Sequence, residues 1–156
     1  MILSFQSFLK NLGQTIESVI RISLLTKLNI KFSEIIRKNE LWVMSITPAP
    51  LLSDSLQEKA QQLALDVSAQ LGAVGVIAVE ISVEDQELSV VKVEMHPHSS
   101  GNWTVEGAIT SQYEQHLRAI LDLPLGDPSM TSRFVVTGNV YCGDKPNMYR
   151  PYLHLM

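Results

Sequence analysis

The chain has 156 residues, a net charge of −4 and one cysteine, and it is 46% hydrophobic and 18% charged. That length fits one domain of ordinary size with its own core, and the composition excludes a compositionally disordered chain. The acidic balance argues against a nucleic-acid surface, and the single Cys142 excludes an internal disulfide framework and fits a reducing cytoplasm.

Charge divides the chain near Met44. Residues 1–44 carry six basic residues against three acidic, a net of +3, whereas the remainder carries six against thirteen, a net of −7. Phe5, Leu9 and Leu12 recur at near-helical intervals, as do Ile16, Val19, Ile20 and Leu24, and then Phe32, Ile35 and Ile36. This spacing predicts a helical segment. Basic residues between the apolar ones are compatible with an interfacial membrane helix. Glu17 and Glu34 interrupt that basic face and favour a packing helix. No uninterrupted apolar run reaches the roughly 18 residues that a membrane span needs. The basic leader and small-residue cleavage site of a signal peptide are missing.

Beyond Met44 the punctuation is clearer. Thr47-Pro48-Ala49-Pro50 breaks regular structure, because each proline removes an amide donor and biases its predecessor to extended geometry. Ser53 is a good N-cap with Asp54 in the first turn. The predicted helix carries Leu56, Ala60, Leu63, Ala64 and Val67 as its apolar stripe, runs to about Leu71 and stops at Gly72. Two strand-like runs follow, Val74 to Val83 and Leu88 to Met95, joined by a tight turn at Glu84-Asp85-Gln86-Glu87. Glu80 sits near the middle of the first run. Lys92 and Glu94 share one face of the second, because strand side chains alternate. The hairpin leads into a small-residue loop with two histidines and an exposable tryptophan, Met95 to Thr104, and loops on a rigid scaffold are where chemistry usually sits. Ser111 then caps a helix bearing Tyr113, His116, Leu117, Ile120 and Leu121. Arg133 to Tyr141 alternates like a strand, and Cys142 to Pro151 reads as loop. The order implies an α+β fold on a small antiparallel sheet.

The stretch Pro97-His98-Ser99-Ser100-Gly101-Asn102-Trp103-Thr104-Val105-Glu106-Gly107, followed by Thr110-Ser111-Gln112-Tyr113-Glu114-Gln115-His116-Leu117-Arg118-Ala119, resembles the ATP-dependent carboxyaminoimidazole ribonucleotide synthases of purine biosynthesis. These are ATP-grasp ligases, whose pattern reads close to N-E-x-A-x-R-P-H-N-S-G-H-[WY]-T and then T-S-Q-F-E-Q-H-L-R-A. Ile46-Thr47-Pro48-Ala49-Pro50, Gly75-Val76-Ile77-Ala78-Val79-Glu80 and the run from Lys145 to His154 also look like the family, in matching order from about Ser45 to Met156. The resemblance implies three segments. Residues 1–44 would be a divergent helical N-terminal segment, 45–126 the C-terminal lobe of an ATP-grasp domain, and 127–156 the truncated start of a small closing domain.

The resemblance also implies a reaction. ATP phosphorylates bicarbonate, and the carboxyphosphate carboxylates the amine of aminoimidazole ribonucleotide. The implied cofactors are ATP and magnesium, the partners are these small molecules with no nucleic acid and no membrane, the family's members are often homodimers, and the location is cytoplasmic. Magnesium takes hard carboxylate oxygens. One family metal ligand falls on Glu80, the implied cofactor- and metal-binding residue; a lone Glu within an apolar strand needs a metal or a charge partner in any case. His98, Ser99 and Gly101 fall in the loop that cradles carboxyphosphate and substrate, and are the catalytic candidates.

Several positions depart from the family. Its second metal-ligating Glu is Lys92 here and the neighbouring Asn is Val91; its loop Arg is His96, the following Asn is Ser99, and its second His is Asn102. Glu94 is the candidate replacement ligand, about 6–7 Å further along the strand. These departures imply a truncated, diverged and inactive form of the ligase. Two alternatives remain open: a part that works with a second chain supplying the ATP-holding lysines, and an interaction module or pseudoenzyme that binds a partner protein or membrane surface through residues 1–44. His96 and His98, as an H-x-H on a strand with Glu94, form a further candidate metal site. The bland reading packs or solvates His116 and makes Trp103 and Tyr113 structural anchors.

Overall fold

The computed structural model describes residues 18–25, 29–39 and 41–141. Among these residues, six strands form one antiparallel sheet: β1 (Ser18–Leu25), β2 (Asn29–Lys38), β3 (Leu41–Thr47), β4 (Val76–Glu84), β5 (Glu87–Glu94) and β6 (Val135–Gly138). Their order across the sheet is β5-β4-β1-β2-β3-β6. Helix α1 (Asp54–Leu71) lies between β3 and β4 in the chain, and α2 (Thr104–Gly107) and α3 (Gln112–Ile120) follow β5. This is the expected α+β arrangement of helices on an antiparallel sheet.

The helical reading of residues 1–44 is overturned where that segment is described. Ser18–Leu25 and Asn29–Lys38 are strands, and β1 sits mid-sheet between β4 and β2. Val19, Ile20, Ile22, Ile30, Ile35 and Ile36 are β-branched, which favours the pleated conformation. Their spacing fits a helix as well as a strand, and partners on both sides decide between the two: Ile22 pairs with Phe32 and with Val79. The proposed repeat at Phe5, Leu9, Leu12 and Ile16 lies outside the described residues, as do Cys142 and the run from Lys145 to His154.

Helix α1 forms as its sequence dictates. The Ser53 hydroxyl accepts from the Leu56 amide at 3.4 Å, and Gly72 ends the helix at φ 57°, a left-handed conformation that glycine takes without strain. Leu56, Ala60 and Ala64 pack against Phe32, Ile77, Val79 and Ile81 to make the main core. Each fully buried Ile or Leu there contributes about 1.5–3 kcal/mol. Because side chains alternate, Val76, Ala78 and Glu80 face the other side of β4, away from α1.

The β4–β5 hairpin closes through Asp85 at φ 48° and Gln86 at φ 69°. Two consecutive left-handed residues match the twist of the flanking strands. Glu80 lies directly opposite Lys92, and Ile81 opposite Val90, so Val91 is an extra residue in β5. Such a bulge re-aims neighbouring side chains. The last strand is shorter than the alternation of Arg133 to Tyr141 predicts, covering only Val135–Gly138. No helix among the described residues is long and apolar enough to cross a membrane.

Candidate functional site

The loop after β5 is held from beneath by α3. Ser111 caps that helix, its hydroxyl accepting from the Glu114 amide at 3.3 Å. The capped first turn carries Gln112, which is fully buried. Gln112 Oε1 accepts from the His98 amide at 3.1 Å, and its Nε2 donates to the His98 carbonyl at 2.8 Å and to Asn102 Oδ1 at 3.2 Å. Thr104 Oγ1 donates to the Gly101 carbonyl at 2.7 Å and accepts from the Gln112 amide at 2.8 Å. These bonds fold Ser99–Gly101 into one tight helical turn.

His98 is fixed on several sides. Its Nδ1 accepts from the Ser100 amide at 3.2 Å, which leaves the ring proton of the neutral form on Nε2. Nε2 lies 2.8 Å from Glu94 Oε2. The ring stacks against Trp42 of β3, with centroids 6.1 Å apart and planes 22° apart. Ser99 is exposed at the start of the turn, and Ser100 is buried, its carbonyl accepting from Ser33 Oγ at 3.2 Å. Gly101 is buried against Gln112: a Cβ there would stand 2.2 Å from Gln112 Oε1. The structure therefore gathers the three catalytic candidates, His98, Ser99 and Gly101, into one rigid turn, and gives Gly101 a packing reason to be glycine.

Glu80 and Glu94 occupy neighbouring positions on the same face, with Glu80 opposite Lys92 and Glu94 opposite Ala78. Glu80 is buried, and its Oε1 lies 3.4 Å from Arg37 Nη2 of β2. Glu94 Oε1 accepts from Lys92 Nζ at 2.7 Å. That hydrogen bond, more than the nearby His98 and His96, holds the Glu94 carboxyl below its ordinary value, against a smaller opposing push from desolvation.

The strand-borne H-x-H site does not form. Strand β5 ends at Glu94, and Pro97, which lacks an amide donor, separates the histidines. The His96 and His98 rings stand 6.5 Å apart and tilted by 46°, and His96 Nδ1 donates to the Pro97 carbonyl at 2.8 Å. Among the described residues no group of three or more His, Cys, Asp and Glu side chains could hold a metal ion. The tryptophan expected to be exposable, Trp103, is buried, whereas Tyr113 is exposed and its hydroxyl donates to Asn102 Oδ1 at 2.8 Å. His116 is packed, its Nδ1 accepting from the Val76 amide at 3.1 Å. Arg37 and Trp42 were missed by sequence reasoning. They contact Glu80 and His98 from strands far away in the chain, and no local pattern marks them.

The ATP-grasp domain model matches residues 26–113, from just ahead of β2 through the loop and into α3. The chain belongs to the ATP-grasp family. It is 46% identical over 112 residues to the N5-carboxyaminoimidazole ribonucleotide synthase of Mycobacterium tuberculosis, covering 71% of this chain and 26% of that protein. It is 42% identical over 95 residues to the Bacillus subtilis protein of the same name, covering 60% of this chain and 25% of that one. Among solved structures, it is similar to the carboxyaminoimidazole ribonucleotide synthase of Aspergillus clavatus complexed with ATP, with a TM-score of 0.76 at 27% identity over 92% of this chain and 39% of that one. The Thermus thermophilus enzyme gives a TM-score of 0.64 at 34% identity over 76% of this chain and 34% of that one. The chain thus spans about a quarter of the length of the curated relatives it matches. The family match begins at residue 26, within the segment the sequence reading set apart as 1–44.

The ATP-grasp family uses ATP and, in general, magnesium. The residues present here do not fit a magnesium ion. A hard dication needs several free oxygens at about 2.0–2.1 Å, whereas Glu80 is paired with Arg37, and both Glu94 oxygens already face donors from Lys92 and His98.

Proposed function

We propose that this chain is a diverged lobe of a ligase of the N5-carboxyaminoimidazole ribonucleotide synthase type, and that on its own it does not carry out the carboxylation. The whole enzyme of that type would consume ATP and bicarbonate to carboxylate aminoimidazole ribonucleotide in the cytoplasm. In this reading the turn at His98, Ser99 and Gly101 is the cradle for the carboxyl-bearing intermediate, and Glu80 is the remaining carboxylate of the nucleotide side. Identity of 46% over 112 residues to a protein of that name supports the assignment. The observation that carries the loss of chemistry is Lys92 standing opposite Glu80, with its ammonium committed to Glu94. An ammonium cannot ligate a cation, and it repels one.

The alternative of a partner- or membrane-binding helix within residues 1–44 has no helix to rest on in Ser18–Leu25 or Asn29–Lys38, which are strands. The test of the proposal is release of ADP by the purified chain given ATP, magnesium, bicarbonate and aminoimidazole ribonucleotide. The expected result is release no faster than without the ribonucleotide. Ribonucleotide-dependent release that Glu80→Ala abolishes would overturn it.

A further inference from the structure

We infer that the Glu80–Glu94 face is closed to divalent cations by its own basic side chains, and that Lys92 is the residue that closes it. The two carboxylates lie one same-face step apart, opposite Lys92 and Ala78 respectively. Among the described residues the basic groups on them are Arg37 Nη2 at 3.4 Å from Glu80 Oε1, Lys92 Nζ at 2.7 Å from Glu94 Oε1, and His98 Nε2 at 2.8 Å from Glu94 Oε2. A cation entering here must displace donors from both Glu94 oxygens and then sit beside the ammonium it displaced. Water screens part of the resulting Coulomb repulsion, because the Lys92 side chain is 59% exposed, but the Glu80 and Glu94 side chains that a cation must reach are only 10% and 20% exposed, so the repulsion persists. The charge a metal would supply is therefore supplied by the protein.

Lys92 is the replaceable member of the set. Its side chain is 59% exposed, so changing it leaves the core intact. Lys92→Glu removes the ammonium, frees Glu94 Oε1 and places a carboxylate directly across from Glu80. The experiment is titration of Mn2+, without nucleotide, into the intact chain, read by water-proton relaxation. The proteins are wild type, Glu80→Gln, Lys92→Glu, Lys92→Gln and the double variant Lys92→Glu with Glu80→Gln, each checked for native circular dichroism. Wild type should show no Glu80-dependent Mn2+ binding at millimolar metal. Lys92→Glu should bind at least tenfold more tightly than wild type, and the added Glu80→Gln should abolish the gain. Lys92→Gln, which removes the charge and keeps the length, should fall between. Glu80-dependent Mn2+ binding by wild type, or no gain in either Lys92 variant, would overturn the inference. The relaxation measurement needs no turnover, so its outcome is separate from that of the ADP-release assay.

Discussion

Gln112 grips the peptide of His98 at both ends, accepting from its amide at 3.1 Å and donating to its carbonyl at 2.8 Å. A fully buried side chain on α3 thus sets the position of the loop that follows β5. Gln112→Ala strips two partly buried backbone groups of their partners and leaves a cavity, and each unsatisfied buried group costs about 1–3 kcal/mol. The expected loss is about 3 kcal/mol, read from the urea midpoint, with His98 released from its single ring environment in NMR spectra. A loss under about 0.5 kcal/mol would mean that the loop is held by something else.

The second prediction concerns Glu34, which is 1% exposed in β2. Its Oε2 accepts from the Leu51 amide at 3.4 Å, and its Oε1 has no hydrogen-bond partner among the described residues. Burial raises its carboxyl above the ordinary 4.5, and the Leu51 bond offsets only part of that. The folded chain therefore holds this proton more tightly than the unfolded one. The resulting stability is fully present below 4.5 and is lost as pH rises through the raised value. Glu34→Gln keeps an acceptor for Leu51 and removes the buried charge. It should raise the melting temperature at pH 7 and leave it little changed at pH 4. Equal melting temperatures at pH 7 would contradict the burial argument.

A third prediction isolates Lys92 from the rest of its cluster. The Lys92 hydrogen bond is the largest cause of the lowered Glu94 carboxyl. Lys92→Met should move the Glu94 titration upward in carbon-detected NMR. The sign for stability is opposite to that of Glu34. A depressed carboxyl stabilises the fold above 4.5, and that contribution is lost as pH falls through the depressed value. Lys92→Met should therefore weaken the dependence of stability on pH below 4.5. An unmoved Glu94 titration would assign the shift to His98 and His96 instead.

Much of the middle of the chain is legible from sequence because its signals are local. Ser53 and Gly72 bracket α1, Glu84 to Glu87 marks the hairpin turn, and Ser111 starts α3, each through a residue whose chemistry suits that one position. Strands β1 and β2 are not legible locally, because Val19, Ile20 and Leu24 in the first and Phe32, Ile35 and Ile36 in the second satisfy helical spacing as well as strand pairing. Pairing across the sheet, with β4 far along the chain and with the adjacent β3, chooses between them. The site divides in the same way. His98, Ser99 and Gly101 could be found from their contiguous motif. Arg37 and Trp42 could not, since they reach Glu80 and His98 across gaps of 43 and 56 positions of sequence.

The most direct test of the central claim, that this chain keeps the fold of an ATP-grasp lobe without its metal-assisted chemistry, is calorimetric titration of Mg-ATP into wild type and Glu80→Ala. The account predicts no difference between the two proteins at millimolar nucleotide. Saturable binding by wild type that disappears in Glu80→Ala would contradict it, because Glu80 would then be holding the nucleotide's metal and not merely answering Arg37.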